Sequence, residues 1–262
     1  MGIVNVTPDS FSDGGKFFAP QKAIEHALQI VEEGADWIDV GGESSRPGAK
    51  PISLAEELRR VIPVIEGIRK HSSVSISIDT TKSAVAHQAL SLGANMVNDI
   101  SAGRADPETF SLIARFQCEL CLMHMQGTPE KMQTNPLYSD VVQEVLAFLK
   151  ERGEAAIRQG IAKEKIWLDP GIGFGKRVED NLCLLQKLST IKLLNFKVIL
   201  GTSRKSFISS ILESPPPEDR LEGSLASLVP AFQSKIDMVR VHDVRATRRF
   251  LKVLSAVSGL SF

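Results

Sequence analysis

The chain has no excess charge of either sign and no long apolar run, and each absence argues against a class of protein. Lys plus Arg and Asp plus Glu both number 31 in 262 residues, so the formal net charge is zero. Such a chain lacks the basic surface that nucleic acid or an anionic membrane needs, although a local cationic pocket is compatible with it. No apolar run approaches the roughly 20 residues that span a bilayer, so we expect no membrane partner.

Cysteine is also scarce. Three residues are an odd, low number that suits a reducing compartment, so we expect a cytoplasmic protein. Cys118 and Cys121 have the spacing of a redox or zinc motif, but Cys121 falls inside a predicted strand and no second pair completes a zinc site. We therefore interpret them as small buried apolar residues. No charged segment followed by an apolar stretch opens the chain, and we expect no signal peptide.

The sequence does contain one pattern that recurs about eight times: a short β-rich run, a polar residue, a loop and an amphipathic helix. This pattern predicts an α/β protein with one domain, residues 1–262, folded as a single (β/α)8 TIM barrel. The active site is then expected at the C-terminal ends of the strands. The polar residues that end the predicted strands are Asn5, Asp39, Asp79, Asn98, His124, Asp169, Arg240 and His242.

Three loops after these strands carry residues suited to binding a substrate. Residues 39–48 are rich in Gly, Ser and Pro and include Arg46, whose guanidinium can bind phosphate or carboxylate with two hydrogen bonds. Residues 169–176 contain alternating glycines that let the backbone approach a flat ligand, and Phe174 can supply a stacking face. Arg204 and Lys205 form a basic pair at a predicted helix N-terminus, a position that favours anions.

Two details concern the predicted helices. Residues 54–70 have one apolar face, and Pro63 predicts either a kink or a division of this helix into two. Thr80 or Thr81 can cap the helix that follows the third strand, because a hydroxyl oxygen can accept the free N–H groups of the first turn.

One group of polar residues suits a flat heterocycle that carries an amide and an amino group. Carboxylates accept two N–H bonds from a guanidine-like edge, an Asn matches a donor–acceptor pair, and a Lys reaches a carbonyl or ring nitrogen. The members of this group are Asp79, Asn98, Asp169 and Lys205.

A second group suits a di- or triphosphate-like group accompanied by Mg²⁺, since that ion takes few protein ligands beside substrate phosphates. Its members are Asn5, Arg46, Arg240 and His242. Asn5 alone is ambiguous, because a polar residue in an apolar strand is either a hydrogen-bonded core amide or a ligand. A substrate that contacts both groups would join a heterocycle to a pyrophosphate, and the expected reaction is displacement of that pyrophosphate.

These motifs, in this order, resemble the dihydropteroate synthase family of folate biosynthesis, and the resemblance covers essentially the whole chain. Seven motifs together are far more specific than any one of them. They are GIVNVTPDSFSDGG at 2–15, DVGGESSRPG at 39–48, IDT at 78–80, NDI at 98–100, DPGIGFGK at 169–176, SRK at 203–205 and RVHD at 240–243.

The resemblance implies a transferase that is a target of sulfonamides. It would condense 6-hydroxymethyl-7,8-dihydropterin diphosphate with 4-aminobenzoate to give 7,8-dihydropteroate and diphosphate, with Mg²⁺ as cofactor. It also implies a homodimer and a dissociative mechanism, in which diphosphate leaves before the amine attacks. Such a reaction needs stabilisation of charge more than a strong nucleophile, which agrees with the residues present.

The resemblance also implies a role for individual positions of this chain. The catalytic residues would be Arg46, Lys205, Arg240 and His242. The pterin would be bound by Asp79, Asn98, Ile100, Met123, Asp169 and Lys205. The diphosphate would be bound by Asn5, Arg46, Arg240 and His242, with Asn5 also the Mg²⁺ ligand. The 4-aminobenzoate pocket would contain Phe11, Ser45, Pro47, Phe174 and Ser203. Ser45 stands where the family usually has Thr, which keeps the hydroxyl and removes a methyl group.

Three other interpretations remain open. A pterin-binding methyltransferase-type barrel would share the acidic and amide residues but should lack the Arg46 loop and residues 203–205. A Schiff-base aldolase would use Lys205 as nucleophile, and borohydride would then trap a carbonyl substrate on it. A non-catalytic relative would have no need of the full set of polar residues at the strand ends.

Overall fold

The structure is a computed structural model that describes residues 1–7 and 20–259. Its described residues form eight strands and eleven α-helices. The strands are β1 (Gly2–Asn5), β2 (Trp37–Gly41), β3 (Ser75–Asp79), β4 (Met96–Asp99), β5 (Glu119–Met123), β6 (Ile166–Asp169), β7 (Lys197–Leu200) and β8 (Met238–Val239). The helices are α1 (Pro20–Glu32), α2 (Leu54–His71), α3 (Ser83–Ser91), α4 (Thr109–Phe116), α5 (Val141–Arg158), α6 (Val178–Gln186), α7 (Ser189–Lys192), α8 (Ser206–Ile211), α9 (Leu221–Ala226), α10 (Val229–Gln233) and α11 (Val244–Ser258).

All eight strands belong to one parallel sheet in sequential order. The sheet curls so that its last strand approaches its first. Ile3 N–H donates to the carbonyl of Val241, and Val241 N–H donates to the carbonyl of Met1, both at 3.0 Å. This contact is an isolated bridge between Gly2 and Val241, and β8 has only two residues. The predicted α/β fold with eight parallel strands is confirmed, while closure of the barrel is limited to this bridge.

The strands are short and rich in β-branched residues because they are buried on both faces. Val4, Ile38, Ile76 and Ile78 are fully buried in the core shared with the surrounding helices. A second cluster fills one part of the sheet interior with larger side chains. It consists of Met1, Met96, Cys121, Trp167, Ile199 and Met238. The interpretation of Cys121 as a buried apolar residue is confirmed, and Cys118 is half-buried.

Division of the helix at Pro63 and capping of α3 by Thr80 are both wrong, while a kink at Pro63 stays a prediction. The helix that contains Pro63 is not divided, since α2 runs from Leu54 to His71. Pro63 is exposed, so water can hydrogen-bond the carbonyl that the missing N–H leaves free. Thr80 does not cap α3, because its oxygen accepts the N–H of Lys82, one residue before the helix, at 3.2 Å. Among the described helices, none has the length and apolar character needed to cross a membrane.

Candidate active site

The C-terminal ends of the first four strands bring predicted polar residues to one level of the sheet. In the strand register, Asn5 lies beside Gly41, Gly41 beside Asp79, and Asp79 beside Asn98. Neighbouring strands are about 4.8 Å apart, so these residues share one edge of the sheet. A Cβ at Gly41 would lie 3.3 Å from the Cβ of Asp79, so glycine here leaves space beside that carboxylate.

Arg240 joins two carboxylates at this edge. Its Nε donates to Asp39 at 2.6 Å, and its Nη2 donates to Asp79 at 2.9 Å. The same oxygen of Asp39 accepts the side-chain amide of Asn98 at 3.3 Å. Burial opposes the charge of Arg240, but Asp39 and Asp79 outweigh it and raise the Arg240 pKa, so the group remains a cation. Arg240, from the group predicted to bind phosphate, therefore contacts Asp79, from the group predicted to bind a heterocycle.

Two buried carboxyl groups are poised to accept N–H donors. Burial raises the pKa of Asp79, and the nearby charge of Asp39 raises it further, while Arg240 opposes both effects. Burial likewise raises the pKa of Asp169, opposed by the N–H of Gly171, which donates to its Oδ1 at 2.7 Å. A ligand that donates N–H groups to these carboxylates would stabilise their ionised forms.

Lys205 lies beside these acids at the end of the loop after β7. Its Nζ is 3.9 Å from the ring centroid of Phe174, a cation–π contact. Burial lowers the pKa of Lys205 to about 7, with Asp169 opposing the decrease and Arg240 adding to it. The amine is therefore available both as a cation and as a neutral group near neutral pH.

An apolar cluster adjoins Lys205. Ile100 and Phe174 are half-buried and pack against three buried methionines. The structure thus brings together three predicted binding residues from three different loops or strand ends. The members of the cluster are Ile100, Met123, Met125, Met132 and Phe174.

His242 and Ser203 form a second contact between predicted site residues. The Oγ of Ser203 lies 3.0 Å from Nδ1 of His242 and accepts the backbone N–H of His242 at 3.2 Å. The Ser203 hydroxyl can donate to Nδ1 of the neutral imidazole, and in that tautomer the ring proton lies on Nε2. Burial lowers the pKa of His242 to about 3, assisted by Arg204 and Arg240, so the imidazole is neutral at pH 7.

The loop between β2 and α2 carries the remaining predicted residues. Ser45 is half-buried, while Arg46 and Pro47 are exposed. Gly48 N–H donates to the carbonyl of Pro129 at 3.0 Å, which connects this loop to the one after β5. In the described part of the chain the Arg46 side chain makes no ion pair. Phe11 lies outside the described residues.

Residues 171–175 form a tight loop around the buried side chain of Lys176. Its Nζ donates to Nδ1 of His124 at 2.8 Å, and to the carbonyls of Gly171 and Phe174 at 2.9 and 3.1 Å. Burial lowers the pKa of His124 to about 2, so its imidazole is neutral and accepts this bond. Gly171 has φ of +66°, and a Cβ there would lie 1.9 Å from the carbonyl oxygen of His124.

Asn5 is the residue predicted to bind Mg²⁺. Over residues 1–7 and 20–259, no group of three His, Cys, Asp or Glu side chains is placed to hold a metal. Asn5 is half-buried at the strand end and offers one carboxamide oxygen. This donor fits an ion that takes most of its ligands from water and substrate oxygens, as Mg²⁺ does.

Residues 1–242 match the family described as pterin binding enzyme. The chain is also 46% identical over 257 residues to the dihydropteroate synthase of Synechocystis sp., which covers 98% of this chain and 89% of that protein. The chain belongs to the dihydropteroate synthase family of pterin-binding enzymes.

Solved structures of the dihydropteroate synthase family share this fold. The Xanthomonas albilineans dihydropteroate synthase with 4-aminobenzoic acid has a TM-score of 0.93 and 45% identity, covering 99% of this chain and 92% of that chain. The same enzyme in complex with 7,8-dihydropteroate has a TM-score of 0.89 and 42% identity, covering 99% and 93%. The resemblance drawn from the motifs is confirmed.

Sequence reasoning assigned no role to two buried residues at the site, although Asp39 was among the polar residues expected to end the strands. Asp39 is fully buried and binds Arg240. Its position inside an apolar strand was a usable signal, since a buried carboxylate needs a partner. Lys176 gave no such signal, because a lysine after a glycine-rich loop is usually solvated.

Proposed function

We propose that this protein is a dihydropteroate synthase that condenses 6-hydroxymethyl-7,8-dihydropterin diphosphate with 4-aminobenzoate, yielding 7,8-dihydropteroate and diphosphate. Its relatives bear that name, and solved relatives hold 4-aminobenzoic acid and 7,8-dihydropteroate. The observation that carries the proposal is the group of buried and half-buried donors and acceptors around Arg240. It consists of Asp39, Asp79, Asn98, Asp169 and Lys205.

The pterin is proposed to lie among these groups. Asp79 and Asp169 accept the N–H groups of its amino-pyrimidine edge, and Asn98 supplies both a donor and an acceptor. Lys205 donates to a ring carbonyl or nitrogen. Ile100 and Met123, which belong to the apolar cluster beside Phe174, pack near the ring.

The diphosphate is the leaving group. The bond between the pterin methylene carbon and the diphosphate oxygen breaks, and its electron pair stays with the oxygen. Arg46 and Arg240 donate to the departing oxygens as cations, and His242 donates through its neutral Nε2–H. Mg²⁺, with Asn5 as its protein ligand, would neutralise further charge on these oxygens when bound.

The amine of 4-aminobenzoate then attacks the methylene carbon and loses a proton to give the product. We propose that Ser45, Pro47, Phe174 and Ser203, together with Phe11, form its pocket. The cation–π contact between Phe174 and Lys205 supports a shared boundary between this pocket and the pterin. No residue in this scheme acts as a nucleophile, so electrostatic stabilisation supplies the catalysis.

The deciding experiment is formation of dihydropteroate from the pterin diphosphate and labelled 4-aminobenzoate, with and without Mg²⁺. We expect product that depends on Mg²⁺. Absence of product from folded protein that still binds the pterin would contradict the proposal and favour a binding-only relative.

A Schiff-base aldolase is the second candidate, because the lowered pKa of Lys205, about 7, supplies a neutral amine. Borohydride treatment in the presence of simple aldehydes and ketones distinguishes the two. Covalent labelling of Lys205 with turnover of the carbonyl compound would favour the aldolase, and an unlabelled protein would remove it.

We further propose a closed (β/α)8 barrel that assembles as a homodimer in the cytoplasm. Val253 and Val257 are 62% and 75% exposed one turn apart on α11, which supports a covered surface away from the strand ends. The three free thiols are compatible with a reducing compartment. Light scattering coupled to size-exclusion chromatography tests the dimer, and a monomeric mass would contradict it.

A further inference from the structure

An ion cluster lies beneath the loop that carries Arg46. We call Glu43, Glu57, Thr80 and Lys82 the Lys82 cluster. Nζ of Lys82 donates to Oε2 of Glu43 at 2.6 Å and to Oε2 of Glu57 at 2.5 Å. The other oxygen of Glu57 accepts the hydroxyl of Thr80 at 2.5 Å. The Glu57 side chain is only 1% exposed, so this is a largely desolvated contact and not a surface ion pair.

Glu43 also joins the two ends of the loop. The oxygen that binds Lys82 accepts the backbone N–H of Ile52 at 2.9 Å. Residues 44–51 are therefore closed at their base by one carboxylate oxygen, and the exposed Arg46 lies on the closed segment. The same carboxylate oxygen also accepts the hydrogen bond from the Lys82 ammonium group. The position of the two loop ends therefore depends on Lys82.

The base of the loop also packs tightly on α2. A Cβ at Gly42 would lie 2.7 Å from Cγ1 of Val61 and 3.2 Å from Cγ of Glu57, so only glycine fits without a shift. Arg60 donates to the carbonyl of Gly42 at 2.9 Å. Residue 42 is thus held by packing and a hydrogen bond, and the segment after it is held by Glu43.

The Lys82 cluster connects this loop to the end of β3. Thr80 follows Asp79 directly, and its N–H donates to the carbonyl of Asn98 at 3.1 Å. Glu57, Thr80 and Lys82 therefore link α2, the end of β3 and the start of α3. Backbone pairing with the neighbouring strands holds the strand end that presents Asp79 independently, so this strand end anchors the Lys82 cluster and, through it, the Arg46 loop.

The positive charge of Lys82 holds the Lys82 cluster together, because it balances the charges of Glu43 and Glu57. Burial opposes the charge of Lys82, but its hydrogen bonds to Glu43 and Glu57 outweigh the burial and raise its pKa. Without this cation, two carboxylates would face each other across a partly desolvated gap, and Glu43 would move away from the base of the loop.

We infer that Glu43 and Lys82 are positioning residues. They hold the loop that carries Arg46 in the position from which Arg46 binds the diphosphate of the substrate. The inference rests on the proposed function for the identity of that ligand. Neither residue touches the substrate, and both act through Arg46. Their loss is therefore expected to weaken binding of the diphosphate part and to spare the pterin part.

The test compares Glu43→Leu and Lys82→Met in the full chain with two exposed controls on α2, Glu66→Leu and Lys70→Met. Calorimetry measures the affinity for inorganic diphosphate with Mg²⁺ and, separately, for 6-hydroxymethyl-7,8-dihydropterin. We expect about a tenfold loss for diphosphate in both variants, the size expected when a hydrogen bond to a charged group is lost. The pterin alcohol should bind within about twofold of the parent chain, as should both ligands in the controls.

Two further measurements separate positioning from general damage. Amide hydrogen exchange should become faster over residues 44–52 in both variants and stay unchanged in the controls. Lys82→Arg, which keeps the positive charge, should restore part of the diphosphate affinity. If Lys82→Met does not fold, Glu43→Leu decides alone, since the Glu43 side chain is 24% exposed.

Unchanged diphosphate affinity in folded Glu43→Leu would overturn the inference, as would an equal loss of affinity for both ligands. These outcomes are separate from failure of the proposed function. A parent chain that forms no dihydropteroate would contradict the proposed reaction, whereas the binding and exchange measurements need no turnover.

Discussion

Nε of Arg240 and the carboxylate of Asp39 lie 2.6 Å apart, although 201 residues separate them in the chain. Asp39 is fully buried on β2, and among the described residues its Oδ1 has no hydrogen-bond partner. The ion pair fixes the Arg240 guanidinium at the C-terminal ends of the strands, where it also donates to Asp79. A cation held in place before the substrate arrives can stabilise a leaving anion without reorganisation.

Asp39→Asn should therefore damage both stability and activity. The substitution leaves Arg240 with one carboxylate instead of two, and loss of one partner of a buried pair costs on the order of 3 kcal/mol. Urea unfolding measures this loss, and kcat/KM should fall because Arg240 is less well held. Asp36→Asn, an exposed carboxylate three residues earlier, should change neither quantity. An Asp39→Asn variant as stable as the parent would contradict the assigned role of the pair.

Asp79→Asn should weaken binding of the pterin. A neutral amide accepts N–H bonds less strongly than a carboxylate, and one of its two groups is a donor that would face the donors of the ligand. We expect a loss of about 10- to 100-fold in affinity by calorimetry. Asp140→Asn is the matched control, since Asn can still cap α5. Equal affinities for Asp79→Asn and the parent chain would exclude this residue from the pterin site.

Arg46→Ala should reduce turnover without unfolding the protein, because the side chain is exposed. Loss of a charge-assisted bond to phosphate should lower kcat/KM by at least about tenfold. Steady-state kinetics with the pterin diphosphate measures this, and the thermal midpoint should stay unchanged. Lys50→Ala removes a cation from the same loop and should have little effect. Near-normal rates for Arg46→Ala would contradict a phosphate-binding role.

Lys176 should make the stability of the protein depend on pH. Its pKa falls from 10.5 to about 7 on folding, so between these values the unfolded chain binds more protons than the native state. The free energy of unfolding should therefore rise with pH, by about 1.4 kcal/mol per pH unit well inside this window. Lys205 contributes in the same direction because its pKa is also lowered to about 7.

The measurement is urea unfolding from pH 7 to 9 for the parent chain and Lys176→Met. The variant keeps the contribution of Lys205 and loses that of Lys176, so its stability should rise less steeply with pH. Parallel curves for the two proteins would show that Lys176 keeps an ordinary pKa when folded.

Gly171→Ala should be strongly destabilising. The new Cβ would lie 1.9 Å from the carbonyl oxygen of His124, at a φ of +66°. Backbone must move, so we expect a loss of about 3 kcal/mol or more in the free energy of unfolding. Gly48→Ala is the control, since φ is +80° but nothing lies within 4 Å of its Cβ, and only about 1 kcal/mol of backbone strain is expected. Similar losses for the two variants would show that the loop around Lys176 adapts.

The sequence predicted the alternation of strands and helices well. The third strand was expected to end at Asp79 and does so, while the eighth was expected to continue to His242 and ends at Val239. Apolar periodicity and β-branched content are local properties, so they fix the kind and order of elements. They do not determine the residue at which a strand ends. That residue depends on the backbone hydrogen bonds to the neighbouring strands.

The sequence by itself also determined which residue types end the strands, and so the chemistry available at one edge. Only the tertiary structure decided which charge pairs with which. Glu57 reads as an ordinary acidic residue in the first turn of a helix, yet it is buried against Lys82. Arg240 was grouped with phosphate-binding residues, yet it also binds Asp39 and Asp79. Pairing of distant charges follows from the curl of the sheet and from desolvation, neither of which leaves a periodic signal in the chain.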